Sequence, residues 1–288
     1  TPEAARTFDD DLSMVEPMGV KLASGEELAA LGDGVDRIEM RDLDLRAVRQ
    51  ALSAFEVDTK FDGLALGCLD HGASPPGYSD RLFRFEHLRR VVEGGNSLLS
   101  FAYLPHEVPE YLTRACSMLN LADPDVPTLF MDTGPAAALG ALQDPQVGRQ
   151  HEQLVLNLGN MHALAFHLRG THIHSLYEHH TGEMSLEQIE GFTRGLMAGT
   201  LLHQDVFGSK GHGVLYVDDP EERAPFLAVT GPQRSRLRES SLQPYLAVPH
   251  GDMMISGCFG LVWGFAEKHP QHREEITARL GVERFVTA

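Results

Sequence analysis

The sequence predicts a mixed α/β protein, and three observations predict it. Strand-like and helix-like apolar periods alternate through the first half, closely spaced strands follow, and small polar turns containing glycine close most elements. The 288 residues, 42% of them hydrophobic, suffice for one large core or two packed lobes.

Residues 1–34 carry mixed signals, with a short apolar stretch from Met18 to Leu22, and no element is assigned to them. Val35–Met40 reads as a strand, Leu43–Phe55 as a helix, and Gly63–Leu69 as a buried strand ending at Asp70. Pro75, Pro76 and Gly77 make 73–80 a loop, Leu82–Val92 returns to helical spacing, and Gly94-Gly95 stops that helix. A looser helical region, Pro109–Leu119, leads to a strand at Thr128–Met131. The alanine-rich run Ala136–Leu142 is a helix with Asp132 or Thr133 as its cap and Pro135 in its first turn.

A polar bridge, Asp144–Glu152, separates a first lobe (1–144) from a second (145–288). Gln153–Leu158, Met161–Leu168 and His172–Glu178, joined by turns at Gly159-Asn160 and Arg169-Gly170, predict a three-stranded antiparallel meander. Ser185 and Gln188 form a capping box for the next helix. Residues 203–225 read as loop, with an acidic run at 218–222, and Phe226–Val229 as a last strand. Met253–Ala266 is a nearly apolar helix whose Gly257, Gly260 and Gly264 allow close packing, and Pro270–Ala288 supplies a short charged helix.

Several function classes drop out. A formal charge of -17 disfavours nucleic acid and anionic lipid as partners. No apolar stretch reaches membrane-spanning length, and Thr1–Asp11 is not a secretory signal. Cys68, Cys116 and Cys258 are too few and too scattered for a disulfide framework, which fits a reducing, cytoplasmic setting.

What remains is a series of polar turns that could converge on one crevice, since the carboxyl ends of strands in an open α/β sheet face the same side. They are Asp70-His71-Gly72, Asp132-Thr133-Gly134, Asn157–His162, Glu178–Gly182, Gly211-His212-Gly213, Thr230-Gly231 and His250-Gly251-Asp252. Imidazole and aspartate ligate divalent cations and move protons, so Asp70, His71, His179 and His212 are candidate catalytic groups. Asp70, Asp132, His179, His212, His250 and Asp252 are candidate metal ligands. Adjacent side chains on a strand point to opposite faces, so only one of His179 and His180 readily meets a given cleft. Backbone N–H groups of the Gly159-Asn160 hairpin suit phosphate, and with His162, Thr181, Thr230, Gly231 and Gly251 they form the candidate cofactor-binding set.

These segments, together with Phe83-Arg84-Phe85, Met131–Gly134, Glu178-His179-His180-Thr181-Gly182 and Pro249–Asp252, resemble a bacterial and archaeal family, some of whose members carry the label of a pyruvate formate-lyase activating protein. The label implies a radical enzyme with an iron–sulfur cluster on a tight cysteine triplet, which Cys68, Cys116 and Cys258 do not supply from one loop. More remotely, the chain is similar to the actin-like ATPase and sugar-kinase superfamily. The Asn157–Leu168 hairpin looks like its second phosphate loop, the 134–140 and 257–264 helices like its interlobe connectors, and Thr230-Gly231-Pro232 like its adenosine segment. Nothing matches the acidic, glycine-rich hairpin with which such members usually begin. The expected fold is therefore a two-lobed actin-like ATPase (ribonuclease H-like) fold whose first lobe lacks its N-terminal hairpin.

That resemblance implies a nucleotide- and divalent-metal-dependent phosphotransferase or ATPase, with Asp70 as base or water-positioner and Mg²⁺ and ATP as cofactors. Two alternatives stand beside it. One is a metal-dependent hydrolase, with Zn²⁺ as the ion, built on the His and Asp cluster. The other is a non-catalytic nucleotide-sensing or assembly protein. All three bind a small molecule, phosphorylated in the first reading, and each is compatible with a homodimer.

Overall fold

The alternation of periods resolves into two sheets. The computed structural model describes residues 1–281 apart from Thr7, Asp10, Pro220 and Glu222. In chain order the elements are α1 (Pro2–Ala5), α2 (Gly25–Ala30), α3 (Leu45–Ala54), β1 (Leu64–Cys68), α4 (Asp80–Gly95), β2 (Ala102–Tyr103), α5 (Thr113–Asn120), β3 (Thr128–Asp132), α6 (Thr133–Ala141) and α7 (Pro145–Gly148). There follow β4 (Gln153–Leu158), β5 (His162–Arg169), β6 (His172–His180), α8 (Leu186–Met197), α9 (His203–Gly208), β7 (Gly213–Tyr216), β8 (Phe226–Thr230), β9 (Tyr245–Leu246), α10 (Ser256–Lys268) and α11 (Arg273–Leu280).

The smaller sheet has the order β1-β3-β2, with β1 parallel and β2 antiparallel to β3. The larger has the order β7-β6-β5-β4-β8-β9, in which the antiparallel meander β4-β5-β6 gains β8 parallel to β4, and then β9. The smaller sheet draws its strands from before residue 144 and the larger from after it. One buried cluster nevertheless runs through both halves, from Phe85, Leu129 and Met131 to Phe166, Ala228 and Trp263. The other face of the meander packs Leu156, Ala165 and Tyr177 against Ile189 and Leu196 of α8.

Helices α6 and α10 cross in the middle of this core. Every residue of α6 from Gly134 to Ala141 is buried. A Cβ on Gly140 would lie 1.8 Å from the Ser256 carbonyl oxygen, and one on Gly260 would lie 1.8 Å from that of Ala136. The two backbones touch, and only glycine permits it.

Two expectations need correction. Val35–Met40 forms no strand: Ile38 is 81% exposed, and no neighbouring strand lies against the segment to satisfy its backbone. The supposed loop 203–225 contains α9 and β7, because β7 adds to the free edge of β6 although it is only four residues long. The charged C-terminal helix is α11, and 282–288 lie outside the described residues. Among the described residues no helix is long and apolar enough to cross a membrane.

Candidate metal centre

Arg84 anchors the site from below. On α4 it shares the inward face with His87 and Leu88, three and four positions on, which buries its guanidinium completely. That group forks onto Glu178, with Nε at 3.1–3.3 Å from the two carboxylate oxygens and Nη2 at 2.9 Å from Oε1. Its Nη1 donates to the Asp132 carboxylate and, at 3.1 Å, to the Asp70 carbonyl. One cation thus serves two buried carboxylates.

The titration behaviour follows from this imbalance. Burial opposes charge on Arg84, but Asp132 and Glu178 more than offset it and raise its pKa. Burial also works against the ionised form of Glu178, yet Arg84 and the nearby imidazoles keep its pKa low. Asp132 moves the other way: burial raises its pKa, and the neighbouring charge of Glu178 adds to the rise.

Four histidines stand over this base. His162 opens β5 and pairs with His180 at the end of β6, while Glu178 lies two residues earlier, so strand alternation presents all three on one face of the sheet. His71 follows Asp70 just beyond β1, and its Nε2 is 2.9 Å from Nε2 of His162. His212 precedes β7, where its backbone N–H donates to the Glu178 carbonyl at 2.9 Å. Ring centroids of His180 lie 4.6 Å from His212 and 4.8 Å from His162.

One ring nitrogen from each of His71, His162 and His212 lies within 4.8 Å of the others. Small side-chain rotations bring such atoms to the ~3.3 Å separation of tetrahedral ligands bonded at about 2.0–2.1 Å. His212 is fully buried, and neither of its ring nitrogens has a hydrogen-bond partner. Burial drives the pKa of His162 down to about 4 and that of His212 to about 3, helped by the neighbouring imidazoles, and it lowers His71 and His180 as well. Neutral near pH 7, the imidazoles can offer lone pairs to a cation, which at His71 and His162 would replace their Nε2–Nε2 contact.

The glycines around His212 are required by packing. A Cβ on Gly211 would lie 2.3 Å from Cδ2 of His179, and one on Gly213 2.4 Å from the His203 ring. Two clefts flank the cluster and share Asn160 and Met161. One, of about 510 Å³, is lined by His180, Arg81, Glu183 and Lys210. The other, of about 150 Å³, is lined by His162, Glu178, Gly134 and Gly159.

Of the residues singled out in the sequence, the fold gathers His71, His162, His212 and Asp132 at one place. His179 is turned to the opposite face of β6, where Nδ1 contacts the His180 carbonyl, Nε2 contacts Ser209, and the ring packs on Phe192. Both carboxylate oxygens of Asp70 are occupied by backbone N–H groups, of Gly72 at 2.8 Å and Ala115 at 2.9 Å, so it anchors the turn that carries His71. The Gly159 N–H closes its own hairpin on the His162 carbonyl, and the Asn160 amide oxygen accepts from Gln233. Thr230 and Gly231 lie one strand over, with Gly231 packed on Asn157 and Leu158. Thr181 is buried and receives Arg236 on its carbonyl.

His250, Gly251 and Asp252 sit elsewhere. His250 contacts Gln143 and Phe259, and Asp252 caps Met254. Asp132 caps the start of α6 and Gln143 lies beyond its end, so the helix's 9 residues separate them by roughly 14 Å at about 1.5 Å per residue. Sequence reasoning assigned no role to His180, Glu178 or Arg84. Counting the strand alternation outward from the buried Tyr177 would have put His179 on the Tyr177 face and His180 opposite.

A family model described as "Putative pyruvate format-lyase activating enzyme (DUF1786)" matches residues 1–236. No curated protein and no solved structure matches the chain.

Proposed function

The chain belongs to that family, and we propose that it is a transition-metal-dependent hydrolase whose ion is held by His71, His162 and His212. The observation that carries this reading is the convergence of three neutral imidazoles, with neither nitrogen of the buried His212 hydrogen-bonded and its Nδ1 3.9 Å from the Glu178 carboxylate. An unpaired buried polar group costs about 1–3 kcal/mol, and a ligated ion removes that cost at the nitrogen it binds. A bound divalent ion lowers the pKa of a coordinated water to near 7. His180, which lines the larger cleft beside the trio, would serve as the base that accepts a proton there. Glu178 would supply negative charge beside the imidazoles that hold the ion, and Arg84 holds that carboxylate in place. Arg81, held by its Nη1 on the Phe207 and Gly211 carbonyls, leaves a positive charge in the same cleft that suits a small substrate bearing an anionic group such as a phosphate ester, whereas Lys210 is paired with Glu183 at 2.8 Å.

The family's label implies an iron–sulfur cluster, and the cysteines do not fit one. Cys68 is buried on β1 with its thiol pushed up to about 12 by burial and by the Asp70 charge, Cys116 lies on α5, and Cys258 is exposed on α10. Groups of three or more ligating side chains among the described residues contain His and Asp and no Cys.

The phosphotransferase reading keeps support from the scaffold. The meander extended by parallel strands beside its first strand agrees with a ribonuclease H-like lobe, and the α6–α10 crossing agrees with paired interlobe helices. The occupied oxygens of Asp70 argue against it as a base in that reading.

Metal analysis of the purified full chain, followed by phosphate-ester hydrolysis before and after chelation, tests the proposal. Bound Zn²⁺, activity lost on chelation and restored by Zn²⁺, and loss of both in His212→Gln are expected. Metal binding and turnover unchanged in His212→Gln would overturn it. Calorimetry with ATP and Mg²⁺ distinguishes the phosphotransferase.

A further inference from the structure

The opposite end of β6 carries a second group of imidazoles. β6 and β5 fall out of register between His167 and Leu168: Ile173 pairs with Leu168 and Ser175 with His167, which leaves His174 as the extra residue of a bulge. Without the bulge, His174 would share the apolar face of Leu176. The bulge re-aims it, and its ring centroid lies 5.1 Å from that of His167 and 5.5 Å from that of His172.

Three observations point to a cation among these rings. Ligand atoms of His172, His174 and Asp218 lie within 4.8 Å of one another. His174 is 7% exposed, and while its Nδ1 contacts the Asp218 carboxylate, its Nε2 has no partner. His167, 2% exposed, makes no hydrogen bond through Nε2, which lies 3.7 Å from the Glu152 carboxylate.

The third observation is Asn96. Its side-chain amide nitrogen lies 3.0 Å from His172 Nε2, while its Oδ1 is buried without a partner. Turned through half a rotation, the amide accepts Nε2–H through Oδ1 and leaves Nδ1 of His172 as a lone-pair ligand, with Nδ2 taking over the position that lacks a protein partner. Metal-bound histidines are oriented by such outer contacts.

We propose that His172, His174 and Asp218 form a second transition-metal site, independent of the first. It ties the start of β6 to the acidic segment after β7. Two imidazoles and a carboxylate suit Zn²⁺ or a neighbouring transition metal better than Mg²⁺, which takes oxygen ligands. The backbone already joins the two segments, since Val217 N–H donates to the His174 carbonyl at 2.9 Å. The site is structural, and His167, whose ring lies 5.1 Å from that of His174, is a further donor beside it.

Zn²⁺ titration of the chelator-treated full chain, in competition with a chromophoric chelator, tests this. Two equivalents are expected to bind. Asp218→Ala and His172→Gln should each weaken one of them at least tenfold and leave the other untouched, while His212→Gln removes only that other. Asp218 is partly exposed, so its replacement leaves the fold intact, and circular dichroism checks that. Unchanged stoichiometry and affinity in the Asp218→Ala His172→Gln double variant would overturn the proposal, as would a single wild-type equivalent lost only in His212→Gln. A single equivalent lost in the double variant and retained in His212→Gln would uphold this site while removing the catalytic centre proposed above.

Discussion

Arg84 and Glu178 meet side by side with no solvent on either: two guanidinium nitrogens reach the carboxylate at 2.9–3.3 Å, and both side chains are 0% exposed. Removing one member of such a pair leaves a buried charge without compensation. Arg84→Met is therefore expected to cost about 3–5 kcal/mol in urea unfolding. Arg84→Lys should recover little of it, because one ammonium cannot fork onto Glu178 while also reaching Asp132. A loss below ~1 kcal/mol in Arg84→Met would contradict the assignment of Arg84 as the anchor of the site.

The neighbours His179 and His180 should behave differently. His180→Gln is expected to depress turnover by at least tenfold while the fold holds. His179→Gln should leave Zn²⁺ affinity within twofold of wild type and instead lower stability by about 1–2 kcal/mol, because Ser209 is deprived of its imidazole partner. Parallel metal titration and urea unfolding separate the two.

Gly260→Ala places a methyl group 1.8 Å from the Ala136 carbonyl oxygen, and no rotamer change can relieve a clash with backbone. Forcing α6 and α10 apart should cost about 3 kcal/mol or more, the upper range for overpacking. Gly257→Ala, on the same helix but with open space where its Cβ would stand, should be nearly neutral. Thermal melts of the two variants provide the comparison.

His87 sets one part of the acid limb. Burial, aided by the Arg84 charge, lowers its pKa to about 3, and Nδ1 contacts the Tyr111 hydroxyl at 3.1 Å. The folded pKa lies below the unfolded value of about 6.5, so the unfolded chain takes up the proton first. The stability contributed by neutral His87 is fully present above pH ~6.5 and is lost as pH falls from there toward 3. His87→Phe should flatten the stability–pH curve across that interval by a few kcal/mol. Chemical denaturation of both proteins between pH 7 and pH 4 measures the difference, and parallel curves would refute it.

Much of the scaffold was legible because its signals are local. The turns at Gly159-Asn160 and Arg169-Gly170 set the meander, and Ser185 with Gln188 forms the capping box that their spacing implies. Asp132 caps α6 through the Gly134 N–H. The failures lie where pairing with a distant partner decides the outcome. Val35–Met40 has the composition of a strand and no strand beside it, whereas β2 and β9 are two-residue strands that exist only because β3 and β8 lie alongside.

The same division runs through the site. His71 and His212 could be picked out because their turns contain glycine, but nothing local marks Arg84, whose carboxylate partners lie 48 and 94 residues away. Glu178 sits in a legible motif, and its role emerges only when α4 packs beneath it. His172 and His174 read in isolation simply as strand residues, although an H-x-H spacing on a strand is a signal for two rings on one side.

The alternation of β6 has an implication for assembly. Were this strand to pair one residue out of step with β5, Tyr177 and His179 would take the places of Glu178 and His180, and Arg84 would confront a phenol in place of a carboxylate. Misaligned molecules would therefore lack a charge partner at their centre as well as a working pocket. Faulty and competent copies differ in stability from the moment the sheet zips up, which gives the cell a thermodynamic sieve for this protein.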